Sequence, residues 1–433
     1  MKNQSTEAAF KCTGVNIYNM SIKNDVAEYI RSGETHNQEL GLEIEHFVID
    51  HDGKQIGFHE ISELISIIGS LLKAEIIYMD GYPVGYVTDE YSVTLEPACQ
   101  FEISINPYSD ISEIKRVYND FYGLWQPLFN ARGYKFETKG NLPLVEQGKV
   151  DPDDITLSPK SRYKYMDTYF RHSGHYGKYM MRASASTQVS IDFSSETDLV
   201  RKLNVLQKIS PVLMIAMENK SCPDSTLKEH PDKPHLFRIQ EWDDLDKDRT
   251  GFYPNSLEPD FGYDSAADVI IRTPLILLTD NGETTDVGSE NAYDLFAKGL
   301  LKEDKLEPAR RTKLIEHFIS MGFFHFRIKK YIEVRVADSV PLERALGYVA
   351  LIKGIVYSDE NLNILEKELS DVDSLSKIQE AVEEIETHGY DAIIYGGHTA
   401  ASWAAHLTEL ALNKLNDSDK VYLNNVRTFW GIG

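Results

Sequence analysis

The sequence of 433 residues is poor in cysteine: Cys12, Cys99 and Cys222 form no Cys-x-x-Cys pair and no even set. We therefore expect free or buried thiols in a reducing cytoplasm. No apolar run approaches the roughly 20 residues that cross a bilayer, and the polar N-terminus lacks the apolar core of an export signal. These absences predict a cytoplasmic protein without membrane contact.

Positive charge is also scarce, because 45 Lys and Arg residues stand against 68 Asp and Glu residues and the formal net charge is −23. Such a charge repels nucleic acid and anionic lipid, so we expect small-molecule partners. Hydrophobic residues make up 42% of the sequence, which is ordinary globular composition and excludes extensive disorder. An anion such as ATP would need local Arg and Lys clusters or bound cations.

Common catalytic motifs are missing as well. The sequence contains no Gly-x-x-x-x-Gly-Lys-Ser/Thr loop, no Gly-x-Gly-x-x-Gly fingerprint, no His-Glu-x-x-His and no Gly-x-Ser-x-Gly. The acidic run 244–248 begins like an EF-hand loop, but Arg249 stands where the turn glycine belongs and Asn255 where the bidentate glutamate belongs. An acidic Ca²⁺-binding protein is thus a weak alternative.

Hydrophobic periodicity predicts strands separated by irregular loops and followed by a helical C-terminal part. We expect strands over residues 41–50, 92–106, 184–193 and 324–336. We expect helices over residues 21–32, 61–72, 111–132, 196–219 and most of 342–416. Residues 143–178 and 221–262 are predicted as long connections, which are usually functional or mobile.

This order predicts an α+β fold with a largely antiparallel sheet whose polar face forms the active site, flanked by helices. We expect a single catalytic domain over residues 1–433. Its parts are an N-terminal segment (1–35), the catalytic sheet and loops (36–358) and a helical C-terminal part (359–433).

Alternate residues of the predicted strands share a face, and several of these faces are polar. The shared sets are Glu43 with Glu45; Gln100, Glu102 and Ser104; Gln188, Ser190 and Asp192; and Arg327, Lys329, Tyr331, Glu333 and Arg335. For any single strand, a solvated face is the simpler interpretation. The recurrence of Glu and Gln, with Arg and Lys on one strand, favours a site.

If these strands are neighbours, at least four carboxylates converge. Packed carboxylates repel one another unless some bind protons or a hard cation lies between them. Oxygen ligands without Cys or His partners suit Mg²⁺ or Mn²⁺, and the adjacent Arg and Lys side chains suit phosphate groups. The pattern therefore predicts a metal–nucleotide site where phosphoryl transfer depends on positioning and charge neutralisation.

Six segments within roughly residues 38–358 resemble, in order, the glutamate–cysteine ligases of the plant and proteobacterial type, in the carboxylate–amine ligase group. Residues 41–47, 95–104 and 159–163 are similar to G-x-E-x-E-x-F, L-E-P-G-G-Q-F-E-L-S and P-K-G-R-Y. Residues 188–196, 242–251 and 330–338 are similar to Q-V-N-L-D-F-S-S-E, W-T-D-T-D-x-D-R-T-G and R-Y-L-E-M-R-G-A-D.

The resemblance implies a glutamine-synthetase-like sheet and an ATP-dependent ligase. Its expected reaction joins the γ-carboxylate of glutamate to cysteine through γ-glutamyl phosphate, giving γ-glutamylcysteine, ADP and phosphate as the first step of glutathione biosynthesis. Expected partners are glutamate, cysteine and ATP, with Mg²⁺ or Mn²⁺ as the metal and a monomer or homodimer as the assembly. Two alternatives stay open: a related ligase with a different amine acceptor, and a catalytically silent nucleotide- or metal-binding module.

The resemblance also implies roles for individual residues. Metal ligands are expected at Glu43, Glu45, Glu96, Glu102 and Glu333, and catalytic roles at Glu45, Glu333 and Arg335. ATP contacts are expected at Gln188, Asp192, Arg327 and Lys329. Glutamate contacts are expected at Arg162 and Arg238, with Trp242 and Arg249 lining or covering the same site. From the residues alone, Trp242 could equally be a packing aromatic, Arg249 could pair with Asp246 or Asp248, and Glu96 could be structural.

Two departures from the family patterns matter. Ala98 and Cys99 replace a Gly-Gly pair, so the turn must avoid positive φ or bear its cost. Leu275 and Ile276 follow Pro274 where the family often continues with an aromatic residue near the acceptor pocket. The acceptor is therefore less well determined by the sequence than the glutamate donor.

Overall fold

The structure, a computed structural model, describes residues 21–302 and 306–426. Expectations for residues 1–20, including Cys12, and for 427–433 lie outside these ranges. Residues 21–31 are helical (α1), which confirms the helix expected there. Of the cysteines in the described ranges, Cys99 is buried, Cys222 is partly exposed, and both are free thiols.

The strands of the described chain form one large sheet and one small hairpin. They are β1 (Leu40–Ile49), β2 (Glu75–Met79), β3 (Tyr82–Val87), β4 (Tyr91–Leu95), β5 (Phe101–Tyr108), β6 (Lys135–Glu137), β7 (Ser186–Ile191), β8 (Leu277–Asp280), β9 (Glu283–Asp286), β10 (Phe326–Ile328) and β11 (Ile332–Asp338). The large sheet has the order β10-β11-β7-β1-β5-β4-β3-β2, and β6 pairs with β1. Every pairing is antiparallel.

Helices flank the sheet, so the predicted α+β fold is confirmed. They are α2 (Phe58–Leu72), α3 (Ile111–Asn130), α4 (Pro143–Glu146), α5 (Ser161–Phe170), α6 (Gly177–Ala183), α7 (Glu196–Met217), α8 (Phe237–Asp243), α9 (Tyr263–Arg272), α10 (Ala292–Ala297), α11 (Pro308–Ser320), α12 (Leu342–Val356), α13 (Asp359–Glu368), α14 (Leu375–His388), α15 (Ala400–Lys414) and α16 (Asp417–Val426). Short 3₁₀ turns lie at Pro152–Asp154, Gly389–Asp391 and Tyr395–Gly397. Across the described ranges, no helix combines the length and apolar character that a membrane crossing requires.

Two segments predicted as single strands are hairpins. Residues 324–336 turn between β10 and β11, and residues 92–106 turn between β4 and β5, where Pro97 cannot donate to a ladder. The predicted shared face survives in the first hairpin because Arg327 lies directly opposite Glu333. Residues opposite one another in antiparallel strands point to the same side of the sheet.

The prediction of two long irregular connections was wrong, because each of these segments contains helical structure. Residues 143–178 hold α4, the 3₁₀ turn at Pro152–Asp154, α5 and the start of α6, and residues 221–262 hold α8. In α5 the buried residues Tyr163, Met166 and Phe170 recur at three- and four-residue spacing, which places them on one helix face. The polar residues between them hid that periodicity.

One hydrophobic cluster of buried residues extends from Ile22 to Leu423 and includes the apolar face of the sheet. Helices α2, α3, α7 and α12 pack against strands, and α13 to α16 pack on α7 and α12. The C-terminal helices therefore share the core of the sheet. The division into three parts of one domain stays a prediction.

We expect Trp125→Ala to destabilise the fold strongly. Its indole is fully buried, donates from Nε1 to Tyr86 Oη at 2.9 Å and lies 4.7 Å from the Phe101 ring. Deleting a buried aromatic side chain costs about 3–5 kcal/mol of unfolding free energy. Urea unfolding measures the loss, and Tyr122→Ala on the same helix should cost clearly less, because the Tyr122 side chain is 39% exposed. Equal losses in both variants would contradict this view of the core.

Candidate active site

The polar face of the sheet borders a cavity of about 300 Å³ that collects most of the predicted site residues. They are Glu43, Glu45, Glu96, Glu102, Arg162, Gln188, Arg238, Trp242, Arg327, Lys329, Glu333 and Arg335. The strands β1, β5, β7, β10 and β11 supply the floor, and α8 with the residues around Arg162 supplies the walls.

Strand register explains why residues distant in sequence meet. Glu45 on β1 lies opposite Glu102 on β5, and Glu43 lies opposite Gln188 on β7. On the far side of β7, Glu333 lies opposite Ser190. Since polar residues alternate with core residues on each strand, this register aligns all of the polar faces.

Glu333 is fully buried and contacts three cationic side chains. Its Oε2 accepts from Arg327 Nε at 2.6 Å and from Arg335 Nη1 at 2.9 Å, and its Oε1 accepts from Lys329 Nζ at 2.7 Å. Burial alone would raise the pKa of Glu333, but the three cations hold it well below its ordinary value. Gln188 Oε1 accepts a further hydrogen bond from Arg335 Nη1, at 2.5 Å.

The glutamates of β1 and β5 have the opposite electrostatic character. Burial, followed by repulsion from Glu43, Glu96 and Glu45, raises the pKa of Glu102 well above its usual range. Burial and the neighbouring Glu96 raise the pKa of Glu45 to about 7, and burial with Glu333 raises that of Glu43. These carboxylates therefore favour a proton or a cation beside them.

The four carboxylates of Glu43, Glu45, Glu96 and Glu102 fit a hard cation by their chemistry. They are oxygen donors on one polar face, and a divalent ion would relieve their mutual repulsion. They are not drawn into a compact cluster, because in the described ranges only Asp50, His51 and Asp52 bring three ligand atoms within 4.8 Å of one another. That exposed trio is explained by its turn, in which Asp50 Oδ1 accepts from the backbone N–H groups of Asp52 and Lys54.

The turn that carries Glu96 bears backbone strain. Cys99 adopts φ +66°, so the residue that replaces glycine takes the left-handed conformation instead of avoiding it. Cys99 N donates to Glu96 O at 2.9 Å, and Ser158 N donates to Pro97 O at 2.8 Å. These bonds hold the strained turn in place.

Lys160 was missed as a site residue, although it stands in the Pro-Lys-Ser-Arg-Tyr segment. Its buried Nζ donates to Leu95 O at 2.5 Å, directly before Glu96. Burial lowers the pKa of Lys160 to about 8, and Glu96 opposes that shift. The buried lysine therefore places a cation behind the turn, an arrangement that only the spatial proximity of the two loops reveals.

Arg238 and Trp242 lie one helical turn apart on α8 and form one wall of the cavity. Arg238 Nε and Trp242 Nε1 both donate to Ser184 Oγ, each at 3.2 Å. Arg238 Nη1 has no hydrogen-bond partner, and its nearest carboxylate oxygen, on Asp338, is 4.0 Å away. A buried guanidinium with an unpaired N–H is suited to bind a substrate carboxylate.

Arg162 lines the same cavity and is only partly buried. Its Nε also has no hydrogen-bond partner, and no carboxylate of the described residues forms an ion pair with it. Ser184, Ser186 and Phe323 line the same cavity without having been predicted. Both serines follow from the predicted strand over 184–193, whereas nothing in the sequence marked Phe323.

Two predicted residues lie outside the cavity. Asp192 follows the end of β7, and its Oδ2 accepts from Glu39 N at 2.9 Å, so its prediction as an ATP contact is not supported by its position. Arg249 is fully buried, pairs with Asp246 Oδ2 at 2.5 Å and donates to Pro274 O at 2.5 Å. Arg249 therefore connects loops behind the site, and the ion-pair interpretation with Asp246 is the one the structure favours.

Comparisons with known proteins identify the family of the chain. The model of the family described as "Glutamate-cysteine ligase family 2(GCS2)" matches residues 39–398. Glutamate--cysteine ligase A, chloroplastic, of Oryza sativa subsp. indica is 27% identical over 353 residues, which cover 81% of this chain and 69% of that protein. Glutamate--cysteine ligase, chloroplastic, of Medicago truncatula is 27% identical over 348 residues, covering 78% of this chain and 65% of that protein.

The chain thus spans about two thirds of the length of these plant relatives. Among solved structures, the glutamate--cysteine ligase of Francisella tularensis in complex with AMP superposes with a TM-score of 0.51 at 12% identity, over 92% of this chain and 82% of that one. This likeness shows a shared fold. The family match confirms the resemblance seen in the motifs. The chain belongs to glutamate-cysteine ligase family 2 and is a ligase, and the family and its relatives support ATP-dependent formation of γ-glutamylcysteine, the first step of glutathione synthesis.

Proposed function

We propose that this ligase activates L-glutamate as γ-glutamyl phosphate on the polar sheet face and transfers the γ-glutamyl group to L-cysteine. The observation that carries the proposal is Glu333, which holds Arg327, Lys329 and Arg335 beside four glutamates in one cavity. Phosphorylation of a carboxylate brings two anions together. It therefore requires cations that are already in position.

The reaction has two displacements. A γ-carboxylate oxygen of glutamate attacks the γ-phosphorus of ATP, the bond to the bridging oxygen breaks, and ADP leaves with that electron pair. The cysteine amine then attacks the acyl carbon, and phosphate leaves as the amine loses a proton. Phosphate is a far better leaving group than the oxide ion that a free carboxylate would have to expel. An amine therefore displaces phosphate but does not react directly with an unactivated carboxylate.

Arg327, Lys329 and Arg335 are the proposed phosphate ligands. Glu333 fixes their positions, and Gln188 additionally holds Arg335. Because both oxygens of Glu333 are engaged by these cations, its contacts favour a role as their anchor over a role as a metal ligand. Preorganised charges of this kind cost no rearrangement when the phosphoryl group moves.

Glu43, Glu45, Glu96 and Glu102 are the proposed ligands of Mg²⁺ or Mn²⁺. When bound, such an ion supplies charge neutralisation for the phosphate oxygens. Burial and repulsion from neighbouring glutamates raise the pKa values of Glu45 and Glu102, and a divalent ion beside them would favour their ionised forms.

Arg162 and Arg238 are the proposed ligands of the glutamate carboxylates, since each lines the cavity and has a buried guanidinium nitrogen without a hydrogen-bond partner. Trp242 closes the wall beside Arg238. A cytoplasmic location and a monomeric or homodimeric assembly stay predictions from the sequence, and the plant relatives are named chloroplastic.

The decisive experiment measures ADP, AMP and phosphate release with ATP, Mg²⁺ and glutamate across a panel of amine acceptors led by cysteine, with product masses recorded. ADP and phosphate released with cysteine, together with the mass of γ-glutamylcysteine, would establish the proposal. ADP released only with another amine would keep the mechanism and change the acceptor. Release of AMP would refute an acyl-phosphate intermediate. No turnover with any amine would favour a catalytically silent binding module.

We expect Glu333→Gln to reduce kcat by at least about 10²-fold, because the amide cannot hold three cations in place. The same change should lower the melting temperature, since Arg327, Lys329 and Arg335 would face one another without a counter-charge. Steady-state kinetics and thermal denaturation measure both effects. The control is Glu343→Gln, whose exposed carboxylate pairs with Lys115 and does not line the cavity. A normal kcat in Glu333→Gln would show that the ion cluster of Glu333 has no part in catalysis.

Arg238→Ala should raise the KM for glutamate by roughly 10- to 100-fold, the range expected for lost hydrogen bonds to a charged group. The KM for ATP should stay within about twofold of the wild type, because the Arg238 side chain hydrogen-bonds to Ser184 and not to Glu333 or its three cations. Initial rates at varied glutamate and varied ATP separate the two constants. Arg272→Ala, which removes an exposed arginine paired with Asp268, is the control. An equal rise in both KM values would argue against a glutamate-specific role.

A further inference from the structure

A buried pair of side chains behind the cavity, Asp243 and His325, joins the wall to the sheet. His325 Nε2 lies 3.1 Å from Asp243 Oδ1, which is ion-pair distance although the angles do not form a hydrogen bond, and the two side chains are 5% and 21% exposed. Within the described ranges, each residue is the only ion-pair partner of the other. Neither residue lines the 300 Å³ cavity. The pair therefore has no part in the reaction described above.

The placement of Asp243 calls for an explanation. It is the last residue of α8, where the negative end of the helix dipole disfavours a carboxylate. The segment that resembles W-T-D-T-D also has threonine in the family pattern at this position, so the acid is a feature of this chain. A mostly buried carboxylate at an unfavourable helix end is stabilised by a partner, and His325 is that partner.

His325 belongs to the phosphate-binding side of the cavity. Its backbone O accepts from Arg335 N at 3.0 Å, directly beside the cation cluster, and its backbone N donates to Gly251 O at 2.8 Å. The Phe252 ring packs against the imidazole with ring centroids 5.1 Å apart. The imidazole is therefore held in place by the backbone bond of His325 to β11 and by the loop that follows α8.

Helix α8 is short and needs anchors at both ends. It starts after Leu236, which has φ +58°, and Leu236 N donates to Glu218 Oε1 at 2.5 Å. The seven residues of α8 form fewer than two helical turns. A helix this short gains little stability of its own, because forming the first turn is costly. Glu218 holds its first turn, and the contact between Asp243 and His325 holds its last turn.

We propose that Asp243 and His325 form a positioning pair that sets the distance between the glutamate-binding wall, made by Arg238 and Trp242, and the phosphate-binding strand β11. The inference rests on the proposed function. A gap of only about 10 Å³ separates Arg238, Trp242, His325 and Arg335, so a change in this contact moves the wall directly. The pair acts through Arg238 and Trp242 and does not itself contact substrate.

The test uses four variants of the full chain: His325→Leu, His325→Gln, Asp243→Asn and the double variant Asp243→Asn/His325→Leu. His325→Leu and Asp243→Asn should each raise the KM for glutamate by roughly 10-fold, the scale of a small misplacement of a binding group. The KM for ATP should stay within about twofold, because β11 keeps its own ladder. The double variant should be no worse than His325→Leu alone, since both changes remove one contact.

His325→Gln separates positioning from simple packing. Its Nε2 can donate from nearly the place of the imidazole Nε2, so it should recover most of the glutamate affinity that His325→Leu loses. His406→Leu is the matched control, because it breaks another histidine–carboxylate pair, with Glu368 at 2.8 Å, on the C-terminal helices. It should leave both KM values unchanged.

Several outcomes would contradict the proposed positioning role of Asp243 and His325. These are an unchanged KM for glutamate in His325→Leu or Asp243→Asn, an equal rise for glutamate and ATP, multiplying effects in the double variant, or no rescue by glutamine. If His325→Leu does not fold, Asp243→Asn alone decides, because it keeps the size and shape of the side chain. The wild type is assayed first: its inactivity would refute the proposed function, whereas normal glutamate KM values in active variants would refute only the pair.

Discussion

A carboxylate without exposure to solvent, that of Glu333, lies among Arg327, Lys329 and Arg335, and the site depends on this ion cluster. Burying a charge is costly unless it is paired and hydrogen-bonded, and Glu333 meets both conditions through side chains of a single hairpin. The hairpin turn between β10 and β11 therefore does more than reverse the chain. It concentrates three positive charges beside the glutamates of the cavity, in a protein whose net charge is −23.

Two halves of opposite charge share the same sheet face. Strands β10 and β11 carry the cations, β7 separates them from β1, and β1 and β5 carry the glutamates. Two strand spacings, about 10 Å, thus separate the two groups, close enough for each to influence the other. Glu43 shows this coupling, because Glu333 raises its pKa while Lys329 and Arg327 lower it. The antiparallel register places the polar residues of all these strands on one sheet face. That face therefore has a cationic half and a glutamate-rich half.

The walls of the cavity are less regular than its sheet floor, and they contain residues with a strained backbone conformation. Cys99 and Leu236 both adopt positive φ, one in the turn that bears Glu96 and the other at the start of the helix that bears Arg238. Non-glycine residues in this conformation persist where surrounding contacts hold them. Here the contacts come from Ser158 and Glu218, on neighbouring segments. The sheet therefore supplies regular positions, and the strained segments place Glu96 and Arg238 at the cavity.

Alternation with period two is a local property, so the sequence alone placed Glu43, Glu45, Glu102 and Glu333 on polar faces and predicted an antiparallel α+β fold. Helix α5 and the two hairpins were hidden because their ends depend on contacts made by distant residues. Asp192 satisfies the motif but bonds to Glu39, and Arg249 satisfies it but pairs with Asp246. Which side chains actually face the cavity was decided only by tertiary structure, because strand ends, ion-pair partners and the contact of Asp243 with His325 join elements far apart in the chain.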